Sequence, residues 1–358
     1  MKHIIGANPP GSAGEVKTVT VEEDCAGQRL DNFLMRELKG VPKTHIYRII
    51  RSGEVRINKG RCAADSRVQA GDVVRLPPVR TSERARSKAQ AQSQVGALQG
   101  KGLAPLVAFD VLYEDDYFLA INKPAGIAVH GGSGISFGVI EQLRMARPKA
   151  TFLELVHRLD RETSGILLVA KKRSALKNLQ DQFRERETGK TYLAVVLGHW
   201  PGNKKVLDKP LHKYMLAPKN GTDGEGERRV KVVAKDDPDG MPSLTLVKVR
   251  ATNAPVVPDG NAYSLLEVSI KTGRTHQIRV HLASEGMPIA GDDKYGDFER
   301  NKALQRATGG GALKRMFLHA WRFACNHPAS GERMEFRAEL PPDLSAFVLA
   351  TFAAVDER

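Results

Sequence analysis

The amino-acid sequence predicts an α+β protein of two domains. The chain has 358 residues, and at roughly 100–200 residues per domain that length suggests two. A polar stretch, residues 80–105, is dominated by Gln, Ser, Ala, Arg, Lys and Gly and holds no aromatic residue, the composition of a flexible linker. On both sides of it, apolar residues at helical spacing alternate with short strand-like runs. The expected organisation is a flexible N-terminus over 1–18, a small domain over 19–80, a linker over 81–105 and a larger domain over 106–358.

Composition narrows the function classes. No run of about 18 apolar residues is present, so no membrane span is expected. Met1 to Glu15 lacks the apolar stretch of a secretory signal. Cys25, Cys62 and Cys325 are odd in number and far apart. They fit neither a disulfide framework nor a zinc knuckle, and isolated thiols suit a reducing cytoplasm. Lys and Arg total 55 against 41 Asp and Glu, a formal net charge of +14. That excess favours a polyanionic partner, nucleic acid before an anionic membrane surface.

In the first domain, Leu30, Phe33, Leu34 and Leu38 give Gln28 to Leu38 a helical spacing, as Ile46, Ile49 and Ile50 do for His45 to Arg51. Two short strands are expected at Glu54 to Asn58 and Asp72 to Leu76. From Gln28 to Val79 there are 11 Lys and Arg against 5 Asp and Glu, a balance of +6. Arg48, Arg51, Arg56, Lys59 and Arg61 crowd around the second helix and the first strand. Such a face suits a phosphate backbone, although a solvated charged face has the same composition. The stretch resembles an S4 domain, a small α/β RNA-binding module. Gln28-Arg29-Leu30-Asp31-Asn32-Phe33-Leu34, Lys43 to Arg51 and Gly53-Glu54-Val55-Arg56-Ile57-Asn58 carry the resemblance. It implies structured RNA as the partner.

The second domain opens with strands expected at Phe109 to Tyr113 and Phe118 to Asn122, followed by the turn Lys123-Pro124-Ala125-Gly126. Val129 to Gly134 is a glycine-rich loop without the Gly-Lys-Ser/Thr ending of a phosphate loop. It is either a place where backbone approaches a substrate or a plain turn. Phe137 to Arg147 reads as a helix. A second helix is expected with Ser174 as its N-cap, Leu176, Leu179 and Phe183 as its apolar stripe, and Gly189 as its end. Strands are expected at Thr191 to Leu197, Tyr263 to Lys271, Met316 to Phe323 and Met334 to Glu339, and a short helix after Pro342. Between Thr272 and Leu282, Gly273 marks a turn and Thr275 is the expected cap of a helix ended by Gly286 and Pro288. On that helix Ile278 and Leu282 should face inward, and His276 and His281 are too far around to chelate one metal.

The stretch with most chemical content is 157–172, His-Arg-Leu-Asp-Arg-Glu-Thr-Ser-Gly-Ile-Leu-Leu-Val-Ala-Lys-Lys. Asp160 sits between Arg158 and Arg161, Thr163 to Gly165 supply turn chemistry, and Ile166 to Ala170 reads as a buried strand. A carboxylate at the mouth of a core strand, among cations, favours its ionised form and suggests a nucleophile or a base. A structural ion pair beside a strand would look the same. The domain has no dinucleotide fingerprint, no phosphate loop and no metal-ligand spacing. Its chemistry would then come from side chains: Asp160, an arginine from the segments around Arg158 or Arg279, and Tyr192 as a flat partner or a half-buried strand residue.

Four motifs together resemble RluA-type pseudouridine synthases. They are Asn122-Lys123-Pro124-Ala125-Gly126 with His130-Gly131-Gly132-Ser133-Gly134, His157-Arg158-Leu159-Asp160 with Thr163-Ser164-Gly165, Lys190-Thr191-Tyr192-Leu193-Ala194, and Thr272-Gly273-Arg274-Thr275-His276-Gln277-Ile278-Arg279-Val280-His281. The resemblance implies a central mixed, mostly antiparallel sheet flanked by helices. It implies isomerisation of uridine to pseudouridine in large-subunit (23S) ribosomal RNA, with no cofactor and no metal, by a monomer. By the same resemblance Asp160 is the catalytic aspartate, Arg279 pairs with it, Tyr192 packs on the base, and Arg158 helps displace the base from the RNA. Other ribosomal or transfer RNA sites, or a non-catalytic RNA-binding or ribosome-assembly role, are the alternatives.

Overall fold

The computed structural model describes residues 16–22, 25–38, 41–79, 108–131, 137–216, 227–253 and 262–352. The expected linker and residues 132–136, which include the end of the glycine-rich loop, lie outside the described residues. The chain divides into two compact units, Met1–Pro105 and Leu106–Arg358.

The first unit contains β1 (Lys17–Thr20), α1 (Leu30–Glu37), α2 (Lys43–Arg51), β2 (Arg56–Ile57) and β3 (Val73–Leu76). The sheet order is β1-β3-β2, all antiparallel. β1 begins inside the stretch expected to fray, because its Lys17 to Thr20 pair with Leu76 to Val73. Each helix turns three apolar residues at i, i+3 and i+4 onto the sheet: Leu30, Phe33 and Leu34 from α1, Ile46, Ile49 and Ile50 from α2. Full burial of one such side chain is worth roughly 1.5–3 kcal/mol, so six of them dominate a unit this small. Asn58 and Lys59 both have positive φ, 48° and 67°. The Asn58 amide makes this turn possible by bonding Asp72 Oδ1 at 2.7 Å and accepting from Val73 N at 2.8 Å.

The second unit runs β4 (Asp110–Glu114), β5 (Phe118–Lys123), α3 (Val139–Ala146), β6 (Glu154–Leu155), β7 (Ser164–Ala170), α4 (Arg173–Glu185), β8 (Gly189–Leu197) and β9 (Val206–Asp208). It continues with β10 (Leu211–Leu216), β11 (Glu227–Val232), β12 (Leu244–Thr252), β13 (Tyr263–Ile270), α5 (Gln277–Ala283), α6 (Phe298–Arg306), β14 (Leu318–Asn326), β15 (Arg333–Arg337) and α7 (Pro342–Phe352). β10 and β11 form a separate hairpin. The main sheet follows the path β4-β5-β7-β14-β8-β13-β12-β9, with β15 on β14 and β6 on β7. Its pairs are antiparallel except β7 with β14. It is thus the mixed, mostly antiparallel sheet that the motifs implied.

The unbroken apolar run of β7 follows from burial on both faces. Ile166, Leu168 and Ala170 join a core with Leu179 of α4, while Leu167 and Val169 join a core with Val139, Ile140 and Leu143 of α3. β5 alternates in step with it: Phe118 and Ala120 on one side, Leu119 and Ile121 on the other. A third core lies on β8, β13, α5 and α7.

Several local expectations are corrected. Ser164 and Gly165 belong to β7 rather than to a turn. Gly165 has φ +110°, and a Cβ there would lie 2.2 Å from the Ala320 carbonyl oxygen, so only glycine admits the close approach of β14. α4 begins at Arg173 with no side-chain cap, placing Ser174 inside its first turn. The helix is closed by Arg186 in the left-handed region at φ 65°, and Gly189 opens β8 instead. α5 buries every residue from Gln277 to Leu282. The inward stripe expected of Ile278 and Leu282 is therefore only part of its contact.

Candidate active site

Asp160 stands just ahead of β7, and three anchors fix the turn that carries it. His157 starts that turn. Its ring stacks against Phe183 and Phe323 at centroid distances of 5.0 and 5.7 Å, and Nε2 accepts the Leu168 N–H at 3.1 Å. Burial pushes the imidazole down to about 4, with Lys190 adding to the effect, so it is neutral and a fixed acceptor. Lys123, fully buried, donates from Nζ to the carbonyls of Pro124 (2.7 Å), Ile127 (2.9 Å) and Arg161 (3.1 Å). Its ammonium ties the Lys123–Gly126 turn to the residue after Asp160, and Gly126 N reinforces this on Arg161 O at 2.9 Å. Thr163 N closes the turn on Asp160 O at 3.1 Å.

Opposite lies the N-terminal turn of α5. Gln277 braces it: its Oε1 accepts from Thr272 Oγ1 and Arg274 N, and its Nε2 donates to Leu244 O and Thr245 Oγ1. Thr275 makes no cap. The N-cap is His276, in the left-handed region with φ 52° and ψ 23°. The Arg279 side chain, 6% exposed, reaches Asp160 Oδ2 from Nη1 at 3.4 Å. Its principal partner is Asp292: Nε to Oδ2 and Nη2 to Oδ1, both 2.7 Å. Asp292 Oδ1 also accepts from Lys294 N and Tyr295 N, and the Arg279 guanidinium lies 5.2 Å from the Tyr295 ring centroid. Burial works against the Arg279 charge, but the Asp292 hydrogen bonds and charge outweigh it and hold its pKa above the ordinary arginine value.

The fold opens a cleft between these two walls. β7 and β14 share only the registers His319↔Ser164 and Ala320↔Gly165, so the sheet parts next to Asp160. Tyr192, on β8 opposite Ala320 and Val268, is half-buried at that parting. Burial pushes its phenol up, and the Asp160 charge pushes the same way. The cleft has a volume of ≈ 230 Å³ and is lined by Arg158, Asp160, Tyr192 and Arg279 together with Phe183, Lys190 and Leu318. That is below the roughly 300–1,000 Å³ of drug-sized pockets and suits one small planar group. Burial brings Lys190 down to about 8, with Lys271 and Arg186 contributing. The Arg158 side chain is exposed at the rim and makes no ion pair among the described residues.

The sequence-predicted residues Asp160, Arg158, Tyr192 and Arg279 thus meet in one cleft. Arg48, Arg51, Arg56 and Lys59 lie in the first unit, and none forms a salt bridge among the described residues. Arg51 lines a groove there with Tyr47 and Arg61. The sequence did not single out Asp292, Tyr295, the burial of Lys123 or the place of His276 at the carboxylate. A buried arginine requires a carboxylate partner, which alone could have drawn attention to Asp292. Among the described residues, His212, Asp237 and Asp239 approach one another closely enough to hold a metal ion, and none of the three lines this cleft.

Comparison with known proteins agrees with this geometry. The model of the family described as RNA pseudouridylate synthase matches residues 117–284, and that of the S4 domain matches residues 28–74. A Haemophilus influenzae protein named ribosomal large subunit pseudouridine synthase C is 47% identical over 336 residues, 93% of this chain and 94% of its own. The Escherichia coli protein of that name is 50% identical over 329 residues, covering 92% and 93%. Two solved human structures, RNA pseudouridylate synthase domain containing 1 and 4, are 26% and 25% identical, each with a TM-score of 0.51. They cover 68% and 73% of this chain and 89% and 96% of theirs. A chain that carries an S4 domain at residues 28–74 and, in its larger unit, a cleft framed by Asp160, Tyr192 and Arg279 therefore belongs to the RNA pseudouridylate synthase family.

Proposed function

We propose that this enzyme converts uridine to pseudouridine in 23S ribosomal RNA. One observation carries the reading: the Asp160 carboxylate, 3.4 Å from a buried guanidinium, faces a cleft sized for one planar base. A uracil inside folded RNA is inaccessible, so the nucleotide is flipped out at a cost of a few kcal/mol. Arg158 at the rim helps displace the base and fills its place. Tyr192 packs on the uracil face, its phenol remaining protonated at neutral pH. The N1–C1′ bond breaks, the uracil turns, C5 bonds to C1′, the C5 proton leaves to water and N1 takes up a proton. Atoms and charge balance without an oxidant or an energy source, so no cofactor is invoked. Asp160, kept in place by Arg279, answers the charge that develops on the sugar or base.

Arg48, Arg51, Arg56 and Lys59 bind the phosphate backbone, and the enzyme acts as a cytoplasmic monomer. Among the described residues no helix is long and apolar enough to cross a membrane. The test is pseudouridine mapping of 23S ribosomal RNA from a strain lacking the protein, complemented with wild type or Asp160→Asn. Specific pseudouridines should vanish in the deletion and return only with wild type. An unchanged map overturns the reading.

A further inference from the structure

We propose that His276 is a positioning residue for Asp160, and that Tyr295 holds its imidazole in the tautomer that turns an N–H toward the carboxylate. The inference rests on the reading of Asp160 given above. His276 Nε2 lies 3.8 Å from Asp160 Oδ2, the same oxygen that Arg279 approaches. On its other side, His276 Nδ1 is 2.8 Å from the Tyr295 hydroxyl.

The hydrogen bonds favour one place for the proton. Val230 N donates to the Tyr295 oxygen at 3.1 Å, which leaves the phenolic hydrogen to be donated. With His276 Nδ1 as its acceptor the hydroxyl hydrogen is satisfied, and the imidazole proton then sits on Nε2, facing Asp160. A 3.8 Å separation is too long for a direct hydrogen bond. It is the kind of open catalytic contact that tightens when substrate arrives.

The backbone supports the same conclusion. Four non-glycine residues among those described have positive φ: Asn58, Lys59, Arg186 and His276. The first two form a hairpin turn and Arg186 closes a helix, where this conformation is common. His276 is at a helix N-cap, which normally takes extended backbone. Strain of that kind persists where the surroundings over-determine it, often at functional sites. Here the left-handed backbone and the T-shaped packing on Tyr295, 5.5 Å between centroids, aim the ring.

Burial lowers the imidazole's pKa, with Arg279 and Lys294 acting in the same direction and Asp160 and Asp292 opposing them. The neutral form is therefore favoured at neutral pH. The Asp292-to-Tyr295 segment thus steers both donors: Asp292 holds Arg279, and Tyr295 holds His276.

The test combines spectroscopy with kinetics on the full chain. ¹⁵N-histidine NMR, with His276 assigned by its loss in His276→Gln, should show the Nε2–H tautomer, and Tyr295→Phe should mix the two. Kinetics would use a 23S ribosomal RNA transcript tritiated at uridine C5, since tritium is released when C5 bonds to the sugar. His276→Ala should lower kcat by roughly 10- to 100-fold with KM unchanged, since misplacing a reacting group by about 1 Å costs up to 10²-fold. His276→Gln, whose amide reaches the Nε2 position, should recover most of that loss. His276→Asn, whose amide occupies the Nδ1 position and tolerates left-handed backbone, should not. Rescue by Asn but not Gln would make the role structural, and an Nδ1–H tautomer or an unaffected kcat would equally overturn the proposal. Failure of wild type to release tritium would instead sink the assigned reaction, and the NMR result would still decide the tautomer.

Discussion

Arginine is placed in opposite ways in the two units. In the larger one, Arg279 is buried and held by two 2.7 Å bonds to Asp292, so its place is fixed before any substrate arrives. In the smaller one, Arg48 and Arg51 are exposed and, among the described residues, bonded only to neighbours on their own helix, His45 and the Tyr47 carbonyl. Neither meets a carboxylate among the described residues. A guanidinium with a buried partner gives geometry that salt barely touches, whereas one left to solvent gives attraction that salt screens. On the proposed function the contrast separates positioning from capture, and each side can be broken on its own.

The largest effect is expected at the cleft. Asp160→Asn keeps size and polarity but removes the charge opposite Arg279. Isomerisation should fall by roughly 10⁴-fold or more, the scale seen when a central catalytic group is lost, while RNA affinity stays near wild type. Loss of RNA binding in parallel would blur the division between the units.

Next comes the frame around Arg279. Asp292→Asn leaves a buried guanidinium short of its main partner, which typically costs about 3–5 kcal/mol. Urea unfolding should show that loss together with reduced activity. The effect has a defined pH sense. Burial favours the neutral acid, but Arg279's hydrogen bonds and charge prevail and hold Asp292 below the ordinary aspartate value. The unfolded chain therefore binds the proton first as pH falls. Asp292's contribution is complete above about pH 4 and disappears as pH drops through the folded value. In Asp292→Asn that part of the acid limb should flatten.

A smaller change is expected from the aromatic wall. Tyr192→Ala removes a stacking surface, worth roughly 1–3 kcal/mol per base, and should depress kcat/KM by the same ratio at low and high salt. Tyr192→Phe, which keeps the ring, should lose far less. A Tyr192→Ala defect that grows with salt would mean that the cleft, too, works by capture.

These residues also mark what the sequence could reveal. β7 was legible because a strand buried on both faces must be apolar throughout. That Asp160, Tyr192 and Arg279 meet in one cleft was foreshadowed by the motif in which each sits. Asp292 was not, because nothing in the residues around it states that a guanidinium from α5 will arrive there. Lys123 was expected to open a turn; it ends β5 instead, and three carbonyls converge on its buried ammonium. The ends of α4 were misjudged for a similar reason. Ser174 and Gly189 are good cap residues, but the requirements of β8 and the left-handed Arg186 set the boundaries.

The smallest single-site effect is expected on the capture side. Arg48→Ala and Arg51→Ala each remove a cation that no described carboxylate neutralises. If both touch phosphates, each should lower the slope of log affinity against log salt by about 0.7–0.9. At physiological salt each alone should weaken binding by about tenfold or less, and the double variant should add the two losses, with the effect on KM. Arg29→Ala is the internal control. Its guanidinium is already paired with Asp31 at 2.8 Å, so removing it should hardly alter the slope. A larger slope change for Arg29 than for Arg48 or Arg51 would show that an existing carboxylate partner does not decide which arginines of this unit meet RNA.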